Sequence, residues 1–168
     1  MHQRMEMVEQ TSGATSFVQS EVFSKTFREG MTLVEEAANY LDGEGRKASK
    51  TLSRSGALSY AGASMRLTTQ LMQIASWLLV LRAVREGDMK VLEARENKYR
   101  IKSREEPIGD LLEQGLPPRL IELIDSAGHL YTRISRLDTE LFTDLKSGSV
   151  EQDAAAQQRA LAEAFGQI

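Results

Sequence analysis

"ALSYAGASMRLTTQLMQIASWLLVLRAV", residues 57–84, carries only two charges, Arg66 and Arg82, and no proline. Its last third, "ASWLLVLRAV" at 75–84, is the most apolar run in the chain. The spacing predicts a helix. One stripe holds Tyr60, Leu67, Leu71, Ile74, Leu78 and Leu81. A second, adjacent stripe holds Leu58, Ala61, Met65, Met72, Ala75 and Leu79. An amphipathic surface helix buries one stripe; two stripes suit a helix packed against two neighbours. Arg66, Thr69, Gln70 and Gln73 read as its solvent face. Trp77 is seven residues beyond Gln70 and so about 20° from it at 3.6 residues per turn. Val80 and Val84 continue that side. The expected solvent face therefore turns apolar for two turns, which makes Trp77, Val80 and Val84 a candidate dimer or docking patch. The other reading is that residues 88–116 fold back over Trp77.

Ser53 or Ser55 is placed to cap this helix, and "EGD" at 86–88 stops it. Residues 53–86 would span about 50 Å. Upstream, Phe23, Phe27, Met31, Val34, Ala38 and Leu41 recur at helical spacing, widened by Leu33, Ala37 and Tyr40, and predict a helix over 17–42. Gly43 and Gly45 end it. Downstream, Pro117 and Pro118 suit a helix start. Leu120, Ile124, Ala127, Tyr131, Ile134, Leu137, Leu141 and Leu145 share one face, supported by Leu123, Leu130 and Phe142. "KSGS" at 146–149 reads as the end of that helix, over 117–146. Residues 88–116 read as an irregular loop with a short helix near "MKVLEARENKY". Residues 1–16 read as a disordered lead and 148–168 as a flexible tail. The expected architecture is all-α: an antiparallel three-helix bundle with long helices over 17–147.

With 168 residues, 41% hydrophobic and 27% charged, the chain suits one globular domain. It has no cysteine, so disulfides, thiol nucleophiles and cysteine metal sites are excluded. The net charge of -3 argues against bulk nucleic-acid binding. The first sixteen residues carry no signal-type apolar run, and the run at 74–84 is short of the roughly 20 apolar residues of a membrane span. The expectation is a soluble, cytoplasmic protein.

No catalytic, cofactor or metal site is expected. His2 and His129 are the only histidines, and His129 falls on the polar side of the third helix between Asp125 and Arg133. Glu35 with Glu36, and Glu105 with Glu106, are adjacent and point about 100° apart on a helix. There is no glycine-rich phosphate loop, no GxSxG and no Glu-x-x-His pair on a helix. Arg133, Arg136 and Glu140 form a candidate charged surface for a partner. Two basic segments support an alternative, a small DNA- or nucleoid-associated regulator. Residues 45–54 hold Arg46, Lys47, Lys50 and Arg54; residues 95–104 hold Arg95, Lys98, Arg100, Lys102 and Arg104 against Glu96. They flank opposite ends of a helix about 50 Å long, which is poor for one compact footprint.

The stretches "FREGMTLVEEAANYLDGEGR", "LSRSGALSYAGASMRLTTQLMQIASWLLVLRAVREGDM" and "LPPRLIELIDSAGHLYTRISRLD" resemble the RcdA family, the regulators of CtrA degradation of alpha-class proteobacteria. The likeness covers roughly residues 17–140, and its middle block is the most specific part. The resemblance implies a non-enzymatic, dimeric three-helix adaptor. Such adaptors help the ClpXP protease degrade selected cell-cycle regulators. They bridge protein cargo to a ClpX unfoldase primed by a response-regulator partner. The family has no catalytic motif to carry over.

Overall fold

The structure, a computed structural model, describes residues 13–101 and 115–165, with 143–165 described by their backbone. Six helices account for most of this, and no strand occurs among the described residues. They are α1 (13–18), α2 (Glu21–Asp42), α3 (Glu44–Ser49), α4 (Arg54–Glu86), α5 (Val91–Ala94) and α6 (Pro118–Phe165).

The helix expected over 17–42 divides at Ser20. Its hydroxyl accepts from the Phe23 N–H at 3.2 Å and caps α2, while residues 13–18 form α1 before it. α2 buries Phe23, Thr26, Gly30, Leu33, Ala37 and Tyr40, with Phe27, Met31, Val34 and Leu41 half-buried at the margins. Ala38 is exposed, so the core stripe lies one notch from the one its largest apolar residues mark. Gly30 accounts for this rotation. A Cβ there would overlap Leu78 Cδ1 and lie 3.6 Å from Ile74. The missing side chain lets α2 sit against α4 at that level. Gly43 ends α2, and the expected connector turns helical again as α3.

Ser53 caps α4, its hydroxyl accepting from Gly56 N–H at 3.1 Å. Gly87 ends α4 in the left-handed region (φ 83°), where a side chain would strain the backbone. α4 buries Tyr60, Ala63, Leu67, Gln70, Leu71, Ile74, Trp77, Leu78 and Leu81. α6 answers with Leu120, Leu123, Ile124, Ala127, Leu130, Tyr131, Ile134 and Phe142.

Cross-helix contacts give the directions. The Arg85 guanidinium donates to Ser24 Oγ at 2.7 Å, and Gln19 to the Arg85 carbonyl at 3.2 Å. At the other end, Tyr40 and Tyr60 both close on Gly45. α4 therefore runs against α2. Arg119 pairs with Glu36 at 3.0 Å and Arg133 with Glu29, so α6 also runs against α2. α4 and α6 then point the same way. The chain must travel back along the bundle between them, which is why the long segment 87–117 joins two helices that touch. Parallel neighbours need such a crossover, whereas antiparallel ones need only a short turn.

"KSGS" does not end the third helix: α6 stays helical to Phe165, and the expected tail at 148–168 is helical over its described part. One mid-helix glycine costs only about 1 kcal/mol. No proline follows it, and "AAAQQRALAEA" at 154–164 is rich in strong helix formers. The first twelve residues of the expected lead, and residues 102–114 of the expected loop, lie outside the described residues.

Candidate functional site

Trp77 is not on the surface. It is 2% exposed, and its indole N–H donates to Asp138 Oδ1 at 2.9 Å. Asp138, itself 4% exposed, also receives the Arg100 Nε–H, at 3.0 Å on Oδ1 and 2.8 Å on Oδ2. A second Arg100 nitrogen donates to the Asp138 carbonyl at 3.3 Å, and the guanidinium carbon lies 4.9 Å from the Phe142 ring centroid. The connector after α5 thus folds over Trp77 and is pinned to α6. Val80 and Val84 are half-buried against the same core. Of the expected patch of Trp77, Val80 and Val84, the tryptophan is therefore interior, where an acceptor 61 residues away satisfies the one polar atom of the indole, and the valines are half-buried. The sequence reading passed over Asp138. Its signal was its register: it follows Ile134 by four and precedes Phe142 by four, an acid on the apolar stripe.

What α4 leaves uncovered lies opposite the core. Leu58, Met65, Met72 and Leu79 are between 51% and 71% exposed. They recur every seven residues, so they drift only about 20° per step and form one straight stripe about 30 Å long. Ala61, Thr68, Thr69 and Ser76 are exposed beside them. Two sides of α4 have therefore exchanged roles. The stripe expected in the core faces out, while Gln70 is buried and Arg66 and Gln73 are half-buried. By length and composition α4 would also suffice to cross a membrane, with mean hydropathy 1.3 over its most apolar eighteen residues and 39% of that window buried in the fold. Val22 and Leu92 are exposed too, but singly, as is ordinary.

A cleft of about 350 Å³ borders this stripe, between Thr69, Met72, Gln73, Ser76 and Trp77 on α4 and Lys98–Ile101 on the connector. A second, of about 250 Å³, lies where α2 begins and α4 ends, among Phe23, Ser24, Phe27, Arg28, Arg82 and Arg85. There Arg82 sits over Phe27 with 5.4 Å to the ring centroid and pairs with Glu86 at 2.8 Å. Glu86 lines the second cleft as well, held by Arg82, and Ser24 Oγ there accepts from Arg85. Among the described residues no three His, Cys, Asp or Glu side chains gather to hold a metal, and His129 is exposed.

Several of the charged residues are engaged within the fold. Arg133 is tied to Glu29 on α2, while Arg136 and Glu140 are exposed. In the second basic segment Arg100 belongs to Asp138, and Lys98 pairs with Glu96 at 3.0 Å, which raises the lysine pKa chiefly through that hydrogen bond. Lys102 and Arg104 lie outside the described residues. In the first segment Arg46 lies 3.8 Å from Asp42. At the same end of the bundle, burial pushes the Tyr40 pKa up, helped by Tyr60 and Glu44 and opposed by Arg119. The hydroxyls of Tyr40 and Tyr60, Ser64 Oγ and Gln70 Oε1 are buried without a protein partner.

Residues 14–165 match the family described as protein of unknown function, DUF1465. A solved structure, that of RcdA from Caulobacter crescentus CB15, is 47% identical to the chain. The match covers 77% of this chain and 98% of that one, with a TM-score of 0.65. No curated protein matches the chain.

Proposed function

The chain belongs to the RcdA family, and from that premise we propose that it is a non-enzymatic adaptor for regulated proteolysis. In this reading a cytoplasmic homodimer brings protein cargo to the ClpXP protease, with ClpX primed by a response-regulator partner. The observation that carries it is the 47% identity to RcdA over 98% of that chain. Two features of the molecule support it. The most apolar helix keeps a face outward, which suits a protein that works through surfaces. Several titratable side chains among the described residues close surface ion pairs with acids or bases of the same fold. In the second basic segment Arg100 and Lys98 are engaged by acids of the same chain, which weakens the DNA reading there.

The test is a capture experiment. ClpX and a proteolytically inactive ClpP chamber are incubated in lysate with the primed response regulator, with and without this protein. Captured proteins are identified by mass spectrometry. The expected result is a set of proteins retained only when this chain is present. Equal capture in both arms overturns the adaptor reading.

A further inference from the structure

We propose that the cleft between the start of α2 and the end of α4 binds an acidic peptide segment, seating one apolar side chain on Phe27 and a neighbouring carboxylate on Arg85 and Arg28. The assignment goes beyond the adaptor reading, which names no cleft. The antiparallel pairing of α2 with α4 builds the site. Ser24, Phe27 and Arg28 share one face of α2, and Arg82, Arg85 and Glu86 share one face of α4, each set at spacings of three and four. Where the two faces meet they enclose about 250 Å³.

The floor is aromatic. Phe17, Phe23 and Phe27 form a row, with neighbouring ring centroids 5.9 and 6.0 Å apart. Phe23 belongs to the core, whereas Phe27 is half-buried, and both line the cleft. Pockets for whole small-molecule ligands run from about 300 Å³ upward. This one is smaller and suits a single side chain with its charged neighbour.

The rim is cationic, and its cations differ. Arg82 lies over the Phe27 ring and is held by Glu86 at 2.8 Å, so that pair is locally neutral. Arg28 lies 3.6 Å from Glu21, with both side chains more than two-thirds exposed. Such an exposed pair is weak and yields to a better acceptor. Arg85 has a hydroxyl where the others have acids. Its guanidinium donates to Ser24 Oγ at 2.7 Å, and among the described residues no acid pairs with it. Gln19 donates to the Arg85 carbonyl at 3.2 Å and holds the backbone behind it.

A cation in the last turn of a helix is by itself an ordinary complement to the helix dipole. This one reaches across to α2 and lines an apolar cleft, with further N–H donors beyond the one on Ser24. Being held already, it loses little freedom when an acid arrives. All three rim cations are arginines, whose planar fork matches a carboxylate better than a lysine ammonium does. Glu86 offsets Arg82, so Arg85 and Arg28 set the sign of the site. Charge therefore selects an acid, and the phenylalanine floor selects an apolar residue beside it. Arginine clusters recognise acidic motifs in this way elsewhere.

The probe is a short fluorescein-labelled peptide with one central phenylalanine flanked by aspartates, read by anisotropy against the full-length protein. Two control peptides carry asparagines for the aspartates, or alanine for the phenylalanine. A dissociation constant of about 10–100 μM is expected for so small a site. Each control peptide should bind at least about fivefold more weakly. Arg85→Gln should weaken binding at least about tenfold and Arg28→Gln about threefold, while Arg85→Lys, which keeps the charge and loses the fork, should fall between wild type and Arg85→Gln. Arg46→Gln, beyond the far end of α2, should change nothing. Raising the ionic strength from about 0.05 to about 0.3 M should weaken binding several-fold. These arginines are exposed, so circular dichroism should show an unchanged fold.

Binding that survives Arg85→Gln unchanged, or no binding at about millimolar concentration, overturns the assignment. So does displacement by inorganic phosphate with no difference between the phenylalanine and alanine peptides, since the cleft is then a bare anion site. Cargo capture on ClpX is read separately. A protein that binds the peptide through Arg85 and captures nothing keeps the cleft while the adaptor reading fails. A protein that captures cargo and ignores the peptide keeps that reading while the cleft fails.

Discussion

Replacing Asp138 by alanine should be the most damaging single change at the connector. The carboxylate is buried and accepts from both Trp77 and Arg100, with the guanidinium in turn lying over Phe142. Removing it leaves the indole N–H buried without an acceptor, at about 1–3 kcal/mol. It also leaves a guanidinium whose side chain is only 18% exposed without its counter-charge. Breaking one partner from a buried pair costs about 3–5 kcal/mol, and the two losses overlap because one carboxylate serves both donors. The expected total is therefore about 3–5 kcal/mol, against a whole-fold stability of about 5–15 kcal/mol. For a chain this size each kcal/mol moves Tm by about 2–4 °C, so Tm should fall by about 6–20 °C. Asp138→Asn keeps an acceptor for Trp77 and should lose less. Trp77→Phe, which removes a single hydrogen bond and some area, should cost about 1–2 kcal/mol. Urea unfolding at fixed protein concentration measures all three. Hydrogen exchange should show amides 95–101 opening first in Asp138→Ala. A cost under about 1 kcal/mol would mean the clasp adds nothing net, its desolvation cancelling its attraction.

Gly30→Ala should destabilise by about 1–3 kcal/mol by overpacking, since the added methyl runs into Leu78 Cδ1; unfolding curves test it, and a neutral result would mean α2 and α4 slide apart freely. Gly62→Ala should do the opposite, stabilising the isolated chain by up to about 1 kcal/mol through helix propensity, measured at high dilution. Tyr40 carries a raised pKa, so its ionised form is the one the fold disfavours. Its contribution is intact below pH 10 and is lost as pH climbs through the higher folded value. Stability should therefore fall above about pH 10, and less steeply in Tyr40→Phe, as followed by thermal melts across that range. At neutral pH the same variant should be neutral or slightly stabilising, because its hydroxyl has no protein partner to lose.

The bundle was legible because its helices announce themselves locally. Ser53 as a cap, Gly87 as a stop and the apolar stripe of α6 are short-range signals. The orientation of α4 was not legible, and the reason lies in the residues. Leu58, Met65, Met72 and Leu79 look as much like core as Tyr60, Leu67, Ile74 and Leu78, so periodicity offers two stripes and no means to rank them. The choice is made by Trp77 and Gln70, which read as the end of a polar side. Trp77 turns inward once Asp138 supplies an acceptor and Arg100 neutralises it, and those partners are 61 and 23 positions away along the chain. The end of α6 was misread for a simpler reason: one glycine between serines resembles a stop, yet the residues beyond it favour helix.

The direction of α6 links the clasp to the bare face. Because α6 runs alongside α4 in the same sense, the connection has to return along the bundle, and its described part up to Ile101 lies over the Trp77 flank of α4. α2 and α6 take two further flanks. That leaves the Met65–Met72 side, and the described residues hold no fourth long helix to lay on it. The apolar residues are there all the same, in a pattern symmetric about its own centre. A surface kept only for solubility would place charge along its middle, and this stripe carries none between Leu58 and Leu79. The topology that buries the tryptophan is thus the one that exposes the methionines. A substitution such as Met72→Lys should accordingly leave the stability of the chain within about 0.5 kcal/mol, as read by urea unfolding, and a larger loss would mean that the methionine is packed in the fold.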